Sequence, residues 1–272
     1  MKERNEIMRF FGLHPQNDAK RKFAFTLAEV LITLGIIGVV AALTIPNLIQ
    51  EYQKKQWVAG LQRGYSTLNQ VFKNAMAEDL VSDVTQTELY NAIPTDGYGG
   101  HQIFDPSLDY SLFTEQLKKY LKITKVCNPT DDPLNDPCYG ISYVNLDGEN
   151  LDNYFVQAHR LKVYTADGIV YYFYNLFDGG LTEFGGLLHG VIEIDVNGDA
   201  GPNQFGRDLF PVMLLKNGNV VFAGTKSWEM EGFYHWSDDT YRNPCLFGAV
   251  GADVAGTYCG ARIFENGWKM DY

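Results

Sequence analysis

From Phe25 to Pro46 the chain reads FTLAEVLITLGIIGVVAALTIP, an apolar run interrupted by a single charge, Glu29. Few structures accept such a run. About 20 apolar residues span a bilayer core as a helix, whereas the apolar core of a secretory signal has about 7 to 15. Twelve residues between positions 25 and 45 are Phe, Leu, Ile or Val. At about −0.3 to −0.6 kcal/mol each they favour insertion by roughly −4 to −7 kcal/mol, which one acid near the edge does not reverse. The basic cluster Lys20, Arg21 and Lys22 lies just upstream. Its position predicts a cytoplasmic N-terminus and an exported C-terminal bulk.

Glu29 is the residue that a plain anchor does not need. An ionisable group within a span is costly and marks a functional site whose partner must be found. The natural partner is an α-amino group. If the chain is cut between Ala24 and Phe25, Glu29 lies four residues from a new positive terminus. In an assembly it can reach the terminus of a neighbouring copy. The competing reading is a carboxylate that snorkels to the membrane edge.

Phe25-Thr26-Leu27-Ala28-Glu29, followed by Val30-Leu31-Ile32-Thr33-Leu34-Gly35-Ile36-Ile37-Gly38, resembles the prepilin-type cleavage and methylation motif. Type IV pilins and the pseudopilins of type II secretion and competence systems carry it. The resemblance implies a peptidase that cuts before Phe25, methylates the new amine and removes residues 1–24. It gives Glu29 a role in subunit recruitment and register during filament assembly, and Pro46 that of the proline that kinks the first helix. The close match covers about 25 residues. Where the family usually has Gly before the cut, this chain has Ala24, another small residue.

Charge and cysteine content agree with export. The net charge is −11; the first 24 residues hold six Lys/Arg and three Asp/Glu, a net +3, which leaves −14 for the rest. Such acidity argues against nucleic acid as a direct partner, because phosphate binding needs clustered Lys and Arg. The one basic cluster beyond the first helix, Lys118, Lys119, Lys122 and Lys125, reads as a solvated helix face. Cys127, Cys138, Cys245 and Cys259 all lie in the exported part, where an even number points to disulfides with three allowed connectivities. Local pairing would close two short loops at about 3 kcal/mol each. A four-thiolate zinc site is disfavoured, since the spacings lack the close pairs such sites use.

After Pro46, Val58, Leu61, Tyr65, Leu68, Phe72 and Ala75 recur at helical spacing and predict one apolar stripe over residues 47–80, packed on a sheet. Gln62, Arg63, Asn69, Lys73 and Asn74 form the polar face. Gly60 and Gly64 fit a close approach to another element or a locally weakened helix. Residues 81–150 read as irregular, with a short helix near Asp109 to Lys122. From residue 153 the chain reads as β: Leu161–Tyr164 and Ile169–Tyr174 flank the turn Ala166-Asp167-Gly168, Met213–Leu215 and Val220–Ala223 flank Lys216-Asn217-Gly218-Asn219, and Val191–Ile194 is a further strand. The fold class is therefore α+β, a long N-terminal helix on an antiparallel sheet. The pilin-like organisation comprises a leader (1–24), a membrane-spanning or filament-core segment (25–46), an amphipathic continuation (47–80) and an exported domain (81–272).

The segment Asp195-Val196-Asn197-Gly198-Asp199 places oxygen side chains at positions 1, 3 and 5 of a calcium loop. Positions 6 and 12 of an EF-hand would be Ala200 and Gly206, and the nearest acid is Asp208. The favoured reading is a tight turn held by side chain-to-backbone hydrogen bonds. Calcium held by Asp195, Asn197, Asp199 and Asp208 is the competing one. The histidines His14, His101, His159, His189 and His235 form no nucleophile or metalloprotease pattern, so no enzyme activity is expected. The aromatic and acidic stretch Trp228 to Asp239 reads as loop anchors packed on the sheet, with sugar or protein binding as the alternative.

These readings lead to an expectation: a subunit of a pilus or secretion-type pseudopilus, whose partners are the prepilin peptidase, other subunits and the membrane. It would sit in the inner membrane as a single-pass protein and then in a surface or periplasmic filament. The second class is a single-pass anchored module that binds calcium or carbohydrate.

Overall fold

The computed structural model describes residues 26–94, 105–132, 135–151, 160–176, 188–225, 245 and 255–272. The chain divides into two units, Met1–Ile49 and Gln50–Tyr272.

In the first unit the chain enters helix α1, which runs over Leu27–Glu78. From Thr26 to Gln50 every side chain except that of Ala41 is exposed. This apolar stretch is long enough to cross a membrane. Pro46 lies inside the helix. Its ring removes one backbone donor and crowds the carbonyl four residues back.

In the second unit α1 becomes amphipathic. Val58, Leu61, Leu68, Phe72 and Ala75 are buried on one stripe, and Tyr65 is partly buried at its margin. The stripe lies on a six-stranded antiparallel sheet: β1 (Ile123–Cys127), β2 (Leu161–Thr165), β3 (Val170–Leu176), β4 (Leu188–Asp195), β5 (Leu209–Leu215) and β6 (Val220–Phe222), which follow one another in chain order. Strand alternation sets the two faces. Leu161, Val163, Tyr171, Phe173, Ile192, Ile194, Val212 and Leu214 pack against α1. Each buried side chain of this size contributes roughly 1.5–3 kcal/mol.

Two glycines let the helix come close. A Cβ added at Gly60 would lie 2.9 Å from Val196 Cβ, and one at Gly64 would lie 2.8 Å from Ile194 Cγ2. The Tyr171 hydroxyl uses that proximity and donates to the Gly64 carbonyl at 3.1 Å. Asn69, expected on the polar face, is turned to the sheet edge instead. Its Oδ1 accepts from Val220 N at 2.9 Å, which occupies a donor on the edge strand that would otherwise invite pairing with another chain.

Short helices fill the rest: a 3-10 turn at Val84–Gln86, α2 (Glu88–Asn91), α3 (Ser111–Lys118) and α4 (Cys259–Glu265). Helix α3 is shorter than the expected Asp109 to Lys122 and donates Phe113 and Leu117 to the core. Strand β1 lies in the region read as irregular. The C-terminal segment after α4 brings Trp268 against Tyr65, at 5.9 Å between ring centres. Two disulfides, Cys127–Cys138 and Cys245–Cys259, close the local loops.

Candidate functional site

Two regions hold the residues singled out from sequence. In the first, Ala24 and Phe25 lie outside the described residues. Glu29 is the third residue after Thr26, and the two form a reciprocal cap. Thr26 N and Thr26 Oγ1 each donate to Glu29 Oε2 at 2.8 Å, and Glu29 N donates to Thr26 Oγ1 at 3.2 Å. This is the Thr-x-x-Glu capping box, which satisfies two orphan amide donors at the start of a helix. The pattern is legible in Thr26-Leu27-Ala28-Glu29. In the chain as described, the partner of Glu29 is thus a hydroxyl and an amide at the mouth of its own helix. The carboxylate also sits where it complements the positive end of the helix dipole.

The second region lies on the sheet face turned away from α1. There the alternation places Lys162, Tyr172, Glu193 and Asp195, with Lys162 beside Tyr172 and Tyr172 beside Glu193 in register. Polar residues at this spacing would ordinarily face water. Here Lys162, Glu193 and Asp195 are buried, and Tyr143 from the segment over this face packs with Val170, Tyr172, Phe205 and Leu209.

The buried charged side chains of this face find partners. Arg160 meets Glu193 through two nitrogens, with Nε 2.8 Å from Oε2 and Nη2 donating to Oε1 at 3.1 Å. The Lys162 amine donates to Asp199 Oδ1 at 2.9 Å and to the Cys138 carbonyl at 3.1 Å. The same amine lies 4.9 and 5.2 Å from the ring centres of Tyr164 and Tyr172. Burial lowers its affinity for a proton, and Asp199 opposes that shift. The Cys127–Cys138 bridge fixes the carbonyl that Lys162 uses. Lys162 and Arg160 were not visible as site residues, because a strand lysine or arginine reads as solvated.

Asp195 accepts from the Tyr143 hydroxyl at 2.9 Å and from Asn197 N at 3.2 Å. Asp208 accepts from Asn203 N at 2.8 Å and Gln204 N at 2.6 Å. Burial pushes Asp195 up to about 8, and the negative charge of Asp208 adds to the rise. Burial likewise raises Asp208 to about 6, against the lowering effect of its backbone donors. The four residues considered for calcium are not all brought together. Asp195, Asn197 and Asp208 share one corner, whereas Asp199 accepts from Lys162 and from the Tyr164 hydroxyl at 2.8 Å. Among the described residues no three Asp, Glu, His or Cys side chains converge as metal ligands. The Asn197 amide donates to the Ala200 and Gly201 carbonyls at 2.6 and 3.1 Å, which ties the turn together.

The lysine cluster divides between elements. Lys118 pairs with Glu115 and Lys119 with Glu88. Lys125, on β1, lies 5.1 Å from the Tyr164 ring centre. The stretch Trp228 to Asp239 lies outside the described residues, as do His14, His101, His159 and His235. No protein-family model matches the chain, and neither the curated proteins nor the solved structures contain a match.

Proposed function

We propose that the chain is a filament-forming subunit of the type IV pilin and pseudopilin kind, processed before Phe25 and assembled through α1. The observation that carries this reading is the junction at Thr26–Glu29. A basic cluster in the sequence gives way to a helix whose residues from Thr26 to Gln50 are exposed among the described residues, Ala41 excepted, and the only charge in its apolar run stands at its first turn. The acid caps its own helix, and in the proposed filament its charge would also meet the terminal amine of a neighbouring subunit. The α+β unit built onto the second half of α1, with the helix laid on an antiparallel meander, supports the same reading. The subunit would be held in the inner membrane by a single span and then drawn into a filament. Its partners would be the prepilin peptidase and other subunits.

The capping box supplies the means of testing the role of Glu29. Glutamine at the same place keeps the hydrogen bond back to the Thr26 amide but carries no charge to pair with a neighbour's terminal amine. Glu29→Gln should therefore insert in the membrane and keep its helix, yet fail to enter filaments. Glu29→Ala should fail in the same way. Normal incorporation of Glu29→Gln would reduce Glu29 to a helix cap and remove the assembly role.

A further inference from the structure

We infer that the groove between the start of the amphipathic half of α1 and the C-terminal tail binds the anionic headgroup of a membrane phospholipid. The inference rests on membrane insertion of α1, though not on filament assembly.

Glu51, Lys54, Lys55, Val58, Ala59 and Gln62 form one wall of the groove, and Trp268, Lys269, Met270 and Asp271 form the other; its volume is about 530 Å³. Its two acids are both engaged. Glu51 pairs with Lys54 at 3.4 Å, and Asp271 pairs with the Arg262 guanidinium at 2.8 Å. Lys55 and Lys269 are exposed and have no carboxylate within ion-pair reach among the described residues. A second, smaller groove shares Lys54 and is lined also by Arg207 and Trp57. Four cations, Lys54, Lys55, Arg207 and Lys269, thus border adjoining hollows in a chain whose charge beyond the first 24 residues is −14. The local sign runs against the chain as a whole.

Sequence position identifies the occupant. Glu51, the first residue of the groove, follows the last exposed aliphatic pair of the span, Leu48 and Ile49, by two positions. From Leu27 to Ile49 the helix rises about 34 Å at 1.5 Å per residue, close to the roughly 30 Å of a hydrocarbon core. The residues that follow belong to the headgroup zone. Tyr52, Trp57 and Trp268 have the amphipathic rings that settle at that depth. Clustered Lys and Arg beside a span attract anionic lipid, and the attraction weakens within a Debye length and with added salt. The apolar floor of Val58, Trp268 and Met270 fits the glycerol and upper acyl carbons. Lys55 and Lys269 are free to meet the phosphate.

The test uses the full chain extracted in mild detergent containing equal amounts of phosphatidylglycerol and phosphatidylcholine, with retained lipid measured by native mass spectrometry. The expected result is several-fold preference for phosphatidylglycerol, lost in Lys55→Glu/Lys269→Glu. The double variant should still resist alkaline extraction from vesicles, since the span is untouched. Equal retention of the two lipids by the unaltered chain overturns the inference. So does displacement of the bound lipid by inorganic phosphate alone, which would mark a phosphate site. Extraction of the unaltered chain by alkali would show that α1 is not inserted, and the inference would fall with that premise.

Discussion

Gly64 on α1 stands so close to Ile194 on β4 that a Cβ at position 64 would lie 2.8 Å from Ile194 Cγ2 and 3.3 Å from Ile169 Cδ1. Both isoleucines are fully buried, and the Ile194 methyl, attached directly to the branched Cβ, cannot withdraw by rotating a long chain. Gly64→Ala gains about 1 kcal/mol of helix propensity, but forcing a methyl into a packed core costs about 1–3 kcal/mol. The variant should be destabilised by up to about 2 kcal/mol in denaturant unfolding of the detergent-solubilised chain. Gly35→Ala, where an added Cβ meets nothing within 4 Å, keeps the propensity gain without the clash and should not be destabilised.

The Arg160–Glu193 pair should show the asymmetry of buried ions. Arg160→Met leaves the Glu193 charge buried without its Arg160 partner, a loss of about 3–5 kcal/mol. Arg160→Met/Glu193→Leu removes both charges and should recover most of that stability, since apolar replacement of a buried pair is often neutral. Thermal unfolding of both variants decides this. A double variant no more stable than the single one would mean the pair does more than neutralise itself.

These groups also mark what the sequence could convey. Leu161–Tyr164 and Val191–Ile194 were legible as strands, and helical spacing from Val58 to Ala75 identified the stripe that packs on the sheet. Gly60 and Gly64 fitted either a close approach or a weakened helix, and the contacts to Val196 and Ile194 decide for the first. Alternation could not say that the polar face is covered too. Lys162 and Glu193 look solvated until the segment that carries Tyr143 is folded over them. Strand β1 was missed because Ile-Thr-Lys-Val-Cys is short and follows a helix without a turn signal. Helix α4 was missed because seven residues starting at a cysteine and a glycine carry little helical periodicity. The cap on Glu29 is written in Thr26-Leu27-Ala28-Glu29, but within an apolar span the charge of the acid is the stronger sequence signal.

Acid should strengthen the corner formed by Asp195 and Asp208. Their folded pKa values, about 8 and about 6, lie above the roughly 3.9 of an unfolded Asp. The native state therefore binds more protons than the unfolded chain throughout that window. By linkage, the contribution of the pair to stability falls as pH rises from about 4 through 6 to 8. Unfolding measured from pH 5.5 to 8.5 should show a loss of about 3–4 kcal/mol, most of which Asp195→Asn abolishes. Chelator should change nothing in the unaltered chain, because Asp195 and Asp208 already accept from Tyr143 and from backbone amides and Asp199 is held by Lys162. A fall in melting temperature on chelation would instead reveal a bound cation that stabilises the native state by mass action.

The central claim concerns what happens at Ala24-Phe25, and one measurement addresses it directly: the mass of the N-terminal peptide of the protein extracted from its native membrane. The account predicts a peptide that begins at Phe25 and carries one added methyl on its amine. A peptide that still contains residues 1–24 in the membrane-extracted protein would contradict it.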